Sequence, residues 1–197
     1  MKNKLLIFIL TIIIYFIFLY FQPKRCNLSM PILFNIYPNS EEEIKLVEEA
    51  VRNRTPEDVE FFKKTKYTLY ETFLEVEPTI NKKEFYNFVW KNLYIIVVLK
   101  LFFNRIRPYQ LNKNLDIIEN NIASYNSAFP SGHAFIAYSI ANKYSKIYPN
   151  KKEEFYLLAD KIGYVRVKSG YHYPSDIQYS YYLVHYYQYL FDFLYRL

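Results

Sequence analysis

Lys100, Arg107 and Arg166 are three fixed cations, His133 and His172 are two of the chain's three histidines, and Asp176 is a carboxylate four residues beyond the second of them. They fall in three short blocks: Lys-Leu-Phe-Phe-Asn-Arg-Ile-Arg-Pro at 100–108, Pro-Ser-Gly-His at 130–133, and Arg-Val-Lys-Ser-Gly-Tyr-His-Tyr-Pro-Ser-Asp at 166–176. The chemistry this inventory suits is that of an anionic tetrahedral phosphorus. Ser131 and Gly132 can open a helix whose first-turn amides and dipole attract an anion. A carboxylate beside an imidazole can fix its tautomer and leave the other ring nitrogen free as a nucleophile. In phosphoryl transfer such positioning and fixed charge do most of the work.

Each block also has a plainer reading. Lys100 and Arg107 are seven residues apart, two turns along one face of a helix that Pro108 would end, and two cations so placed commonly form a solvated stripe. Ser131-Gly132-His133 alone is a helix cap. His172 with Asp176 alone is a structural hydrogen bond. Metal ligation is weaker still, because two histidines without a flanking acidic cluster poorly satisfy a zinc or magnesium shell. The three blocks together outweigh the separate readings.

In order and spacing the blocks resemble the signature of the type 2 phosphatidic acid phosphatase superfamily, which includes bacterial class A acid phosphatases and vanadium haloperoxidases. That signature is Lys, six residues, Arg-Pro; then Pro-Ser-Gly-His; then Ser-Arg, five residues, His, three residues, Asp. One position departs: Val165 stands where the family usually has Ser before the arginine, which removes a possible hydroxyl contact to phosphate. The resemblance implies that His172 attacks phosphorus to give a phosphohistidine, oriented by Asp176. It implies that His133 protonates the leaving oxygen and later activates water. Lys100, Arg107, Arg166, Ser131 and Gly132 would bind the phosphate oxygens, with no metal and no cofactor. The activity implied is that of a phosphoric monoester hydrolase acting on a lipid phosphate such as phosphatidic acid, or on a soluble ester. A vanadate-dependent haloperoxidase is the alternative within the family, although its usual scaffold is much larger.

The elements that must position these residues read as helices. Ser40-Glu-Glu-Glu43 has the form of a capping box, followed by Ile44, Val47 and Val51 at helical spacing. Thr55-Pro56-Glu57-Asp58 repeats the signal, and Val59, Phe62, Leu69, Phe73 and Val76 continue one face up to Pro78. Asn81 with Glu84 opens a helix through the apolar stretch Phe85–Phe103, expected as a buried helix at the centre of the bundle and not as a second span, since Lys91 sits mid-run. Tyr109–Ala128 is a polar loop of functional length. Helices are expected over Ala134–Tyr148, Glu153–Val165 and the aromatic tail Ile177–Leu197, with a turn at Pro149. Strand patterning is nearly absent, so the fold class is all-α; the resemblance implies a helical bundle of the acid phosphatase/vanadium haloperoxidase type.

Leu5–Phe21 is a seventeen-residue apolar run relieved only by Thr11. It is long for a signal-peptide core and no small-residue cleavage pattern follows, which favours an uncleaved single-pass membrane anchor over a cleaved signal or a buried core helix. Residues 1–25 are therefore the anchor or signal, 26–39 a Pro-punctuated linker, and 40–197 the catalytic domain, expected on the extracytoplasmic or lumenal side. Hydrophobic residues make up 52% of the chain, yet mean hydropathy is only −0.14, because Tyr and Phe carry much of that fraction. That balance argues against several spans. The net charge of +6 favours an anionic partner. A basic, aromatic-rich nucleic-acid binder is the reading from another class, but the cations form no stripe and the rings fall at core spacing, so no nucleic-acid partner is expected. The single Cys26 excludes an internal disulfide and any cysteine-based metal cluster.

Overall fold

The helix that Ser131 opens is the centre of the domain. In the computed structural model the described residues are 37–103, 105–119 and 126–186, with Leu10 and Ile13, and their regular structure is entirely helical. The elements are α1 Ser40–Arg52, α2 Pro56–Tyr67, α3 Leu69–Leu74, α4 Lys82–Phe103, α5 Pro108–Leu111, α6 Gly132–Ile147, a 3-10 turn Pro149–Lys151, α7 Lys152–Lys168 and α8 Pro174–Tyr186. Ten of the sixteen residues of α6 are buried, and it packs on α7, α8 and α4. Gly163 of α7 permits the close approach: a Cβ there would lie 2.6 Å from Ile177 Cγ2 of α8 and 3.5 Å from Ala134 Cβ of α6. One turn further along α7 stands Arg166, so this contact sets where that cation enters the interior. Stacked and tilted rings fill much of the rest of the core, with Phe73 and Phe155 centroids 6.3 Å apart and Phe85 and Tyr144 6.4 Å apart.

Local signals hold in several places. Thr55 caps α2 in a reciprocal box with Asp58, Asn81 accepts from the Glu84 amide at 3.1 Å, and Pro174 begins α8 with Asp176 in its first turn. Three expectations are corrected. Ser40 and Glu43 form no capping box: Asn39 is the cap, its side chain accepting from the Glu41 amide. Ser40 and Glu43 are instead buried, drawn inward by a guanidinium described below. The face running from Val59 to Val76 belongs to two helices, broken at Thr68, where φ −121° and ψ 45° leave the helical region and the hydroxyl bonds the Lys64 carbonyl. Helix α4 is not the buried centre: Phe85, Asn92, Ile96, Lys100 and Phe103 are buried, while Trp90 and Tyr94 are 61% and 78% exposed.

The expected anchor Leu5–Phe21 lies outside the described residues except for Leu10 and Ile13, as do Cys26 and 187–197 of the aromatic tail. Among the described residues no helix is long and apolar enough to cross a membrane.

Candidate active site

Lys100 and Arg107 reach the same place by different routes, and not along one helical face. Helix α4 ends at Phe103, and Arg107 is extended, at φ −84° and ψ 154°, with Pro108 as the first residue of α5. The residue before a proline is held out of the α region, and proline itself fits the first helical position, so Pro108 starts a helix here. Carbonyl oxygens hold both cations. Lys100 Nζ donates to Ser127 O at 2.5 Å; Arg107 donates from Nε to Asn126 O at 3.1 Å and from Nη1 to Tyr171 O at 3.0 Å. Neutral acceptors orient a cation without neutralising it.

Arg166, 2% exposed, arrives from α7. Its Nη2 donates to Thr65 Oγ1 at 2.6 Å, and its guanidinium lies 4.6 Å over the Phe62 ring. Nε is buried and finds no acceptor among the described residues. Burial pushes the guanidinium down to about 9, with Glu119 opposing.

His172 follows the tight turn at Gly170, whose φ of +79° belongs to the left-handed region that glycine enters freely. A Cβ at Gly170 would also sit 2.8 Å from Ile117 Cγ2. The His172 ring is buried, with Nδ1 3.2 Å from Asp176 Oδ2 and Nε2 3.3 Å from Arg107 Nη1. A guanidinium can only donate, so Nε2 is the acceptor and Nδ1 carries the proton that it gives to Asp176. Burial pushes His172 down to about 3; Asp176 opposes, while Arg107 and Lys100 reinforce the fall. Burial alone would raise Asp176, but the Arg105 guanidinium, the His172 ring and the Tyr173 amide hold it at about 2.

His133 stands on the first turn of α6, half-buried, with Nε2 3.5 Å from the Lys66 carbonyl. Burial, then Arg166, His172 and Lys100, push it well below its ordinary 6.5. Ser131 caps α6 and is fully buried behind the wall. A Cβ on Gly132 would meet nothing nearer than Ile96 Cγ1 and Lys100 Cε at 3.8 Å, so protein packing does not demand a glycine there. Lys100, Arg107, Gly132, His133, Arg166 and His172 all line one cavity of about 500 Å³; Phe62, Leu69, Leu93, Ile96 and Ile136 give it an apolar side. Ser131 and Asp176 lie behind the lining. Val165, at the departing position, is buried.

The PAP2 superfamily model matches residues 88–187, more than half of the 197-residue chain and all three blocks. The chain belongs to the PAP2 superfamily. Two solved structures share its fold. LpxE of Aquifex aeolicus is 24% identical, with a TM-score of 0.55 over 77% of this chain and 93% of that one. A transmembrane PAP2-type phosphatidylglycerolphosphate phosphatase from Bacillus subtilis is 18% identical, with a TM-score of 0.55 over 94% of each chain. No curated protein matches.

One residue of this PAP2 site escapes the sequence reading. Arg105 is 1% exposed and donates from Nη1 to Asp176 Oδ1 at 2.7 Å. Its other partners include Glu43, Ser40 and Ser175. It lies inside the first block, two residues before Arg107, but its carboxylate partners stand 62 residues before it and 71 after it. No local spacing exposes such a link.

The two low pKa values carry a stability prediction. Between its ordinary 6.5 and about 3, His172 binds a proton in the unfolded chain and refuses it in the folded one. Asp176, at about 2 against an ordinary 3.8, acts in the same direction at lower pH. Stability should therefore be full above pH 6.5 and fall on acidification. Urea unfolding midpoints at about pH 7 and about pH 4.5 test this, and the difference should shrink in His172→Gln. Equal midpoints in the unaltered protein would contradict a neutral buried imidazole.

Proposed function

We propose that this PAP2 protein is a metal-independent phosphomonoesterase acting through a phosphohistidine, with a lipid phosphate as the favoured substrate. The observation that carries the reading is the convergence of Lys100, Arg107 and Arg166 with both histidines on one cavity. Arg166 lines the cavity and donates to the neutral Thr65 hydroxyl and Phe62 carbonyl, so its charge remains to attract a phosphate oxygen. Gly132, where packing would tolerate a side chain, leaves the backbone open to close approach by an anion at the positive end of α6.

The reaction divides into two balanced steps. His172 Nε2 forms a bond to phosphorus as the bond to the ester oxygen breaks, and that oxygen takes a proton from His133. Neutral His133 then takes a proton from water, whose oxygen bonds phosphorus as the P–Nε2 bond breaks, releasing inorganic phosphate and restoring both rings. Asp176 stabilises the imidazolium character that His172 acquires between the steps.

The apolar side formed by Phe62, Leu69, Leu93, Ile96 and Ile136 favours a leaving group with a hydrocarbon portion, which is why a lipid phosphate is preferred to a sugar phosphate or nucleotide. The apolar run Leu5–Phe21 is proposed as the anchor that keeps the domain where such lipids lie. The test is phosphate release from phosphatidic acid in micelles against soluble esters, with and without chelator. Turnover should persist in excess EDTA and stop with vanadate. A rate lost to EDTA and restored by a divalent cation would sink the mechanism.

A further inference from the structure

We propose that Arg105, held by Glu43, is a positioning residue that fixes Asp176 and, through it, the orientation of the His172 ring. The proposal rests on the phosphatase reading for its kinetic consequence but not for its geometry. Arg105 Nη1 donates to Asp176 Oδ1 at 2.7 Å, leaving Oδ2 to accept from the Tyr173 amide at 2.9 Å and from His172 Nδ1 at 3.2 Å. Each oxygen of the carboxylate is thus assigned, and the plane of the carboxylate is set by groups on three sides.

Arg105 is itself clamped on every edge. Nη2 donates to Glu43 Oε2 at 2.5 Å and to Pro38 O at 3.2 Å, and Nε donates to Ser40 Oγ at 3.1 Å. The rings of Tyr37 and Tyr173 lie 4.6 Å and 4.0 Å from the guanidinium carbon. Ser175, next to Asp176, closes the circuit: its amide and hydroxyl donate to Glu43 at 3.0 Å and 2.5 Å, and its hydroxyl accepts from Arg105 at 2.7 Å. Helix α1 is thereby tied to the start of α8, which carries Asp176.

Charge adds a reason for the second carboxylate. Burial alone would depress the Arg105 guanidinium, but Asp176 and Glu43 raise it. One guanidinium shared by two carboxylates leaves the cluster with a net negative charge. Glu43 draws on Arg105 from the far side, so Asp176 keeps negative charge facing the ring that becomes cationic in the proposed reaction. A buried ion pair can also be retained for structure alone, and the two roles differ in what they couple to.

The experiment is a double-mutant cycle between Arg105→Gln and Asp176→Asn, read with p-nitrophenyl phosphate and with imidazole nitrogen-15 shifts of the resting full chain. Arg105→Gln alone should lower kcat about 10²-fold, as small misplacements of reacting groups do, with KM changed less than about threefold. In the Asp176→Asn background the same substitution should cost less than about threefold more, because its route is already cut. The nitrogen shifts should report Nδ1–H for His172 in both proteins, since Arg107 keeps Nε2 as the acceptor, and the Nδ1 resonance should move in Arg105→Gln as its bond to Asp176 is displaced. If Arg105→Gln does not fold, Arg105→Lys is measured instead, since an ammonium keeps the charge but cannot span both carboxylates. Additive losses in the two backgrounds, or an unchanged His172 Nδ1 resonance, would overturn the positioning role. If the unaltered protein hydrolyses no ester, the phosphatase reading fails, and the nitrogen shifts still decide for or against Arg105.

Discussion

A His172→Ala variant should form no phosphoenzyme with any ester, whatever its leaving group. The imidazole is buried and held near 3, so at neutral pH its Nε2 is unprotonated in essentially every molecule. Asp176 holds the proton side of the ring, and Arg107 Nη1 marks the direction in which Nε2 points. In the proposed reaction that nitrogen is the atom that bonds phosphorus, and the cations only stabilise what it forms. Removing a nucleophile of this kind costs on the order of 10⁶-fold in turnover, while the fixed charges left behind retain binding. His172→Ala should accordingly still bind vanadate or phosphate. Rapid quench of a labelled ester, followed by assay of acid-labile phosphate on the protein, measures the step directly. A burst of undiminished size in the variant would assign the nucleophile elsewhere.

The parts of this site that were legible in sequence are those whose geometry is set within a few residues. Ser131 caps α6 and puts Gly132 and His133 on its first turn; Pro174 starts α8 and places Asp176 in its first turn, four residues beyond His172. Backbone chemistry at a serine, a glycine and a proline dictates these arrangements. Where the sequence misled, long-range charge overrode a local signal. Ser40 and Glu43 have the spacing of a capping box, but a buried guanidinium 62 residues on offers Glu43 a stronger partner than an exposed amide, and Asn39 caps in their place. Lys100 and Arg107 share a cavity without sharing a helix, since Pro108 begins one. The apolar density of Phe85–Phe103 likewise suggested burial all round, yet Trp90 and Tyr94 face outward. Aromatic content alone does not distinguish a core from a surface.

The cavity's electrostatics suit the anion of the proposed reaction. Arg166 is pushed down by burial, and His133 is pushed down by burial and by Arg166. Part of the His133 shift records the positive charge of Arg166 and Lys100, which a bound phosphate would offset. A dianion placed among these groups raises His133, so binding takes up a proton and weakens as pH rises through the pKa of the complex. In the proposed reaction that coupling would supply a protonated imidazole to the leaving oxygen, although the ring is neutral in the resting protein.

His133→Ala should therefore separate esters by their leaving groups. An alkoxide is a poor leaving group and needs a proton as the P–O bond breaks, a contribution typically worth about 10²–10⁴-fold. p-Nitrophenolate departs readily without one. Phosphoenzyme formation in His133→Ala should fall by that factor with an alkyl phosphate and far less with p-nitrophenyl phosphate. Steady-state turnover would blur the contrast, because in the proposed reaction His133 also activates water in the second step, so its loss would slow dephosphorylation for every ester alike. The burst phase isolates the first step. His133 contributes to the cavity wall beside Arg166 and Lys100, so its removal also alters phosphate affinity, and saturating substrate is needed to keep binding out of the comparison. Equal losses in the burst with both esters would take His133 out of proton transfer and leave it as a phosphate ligand.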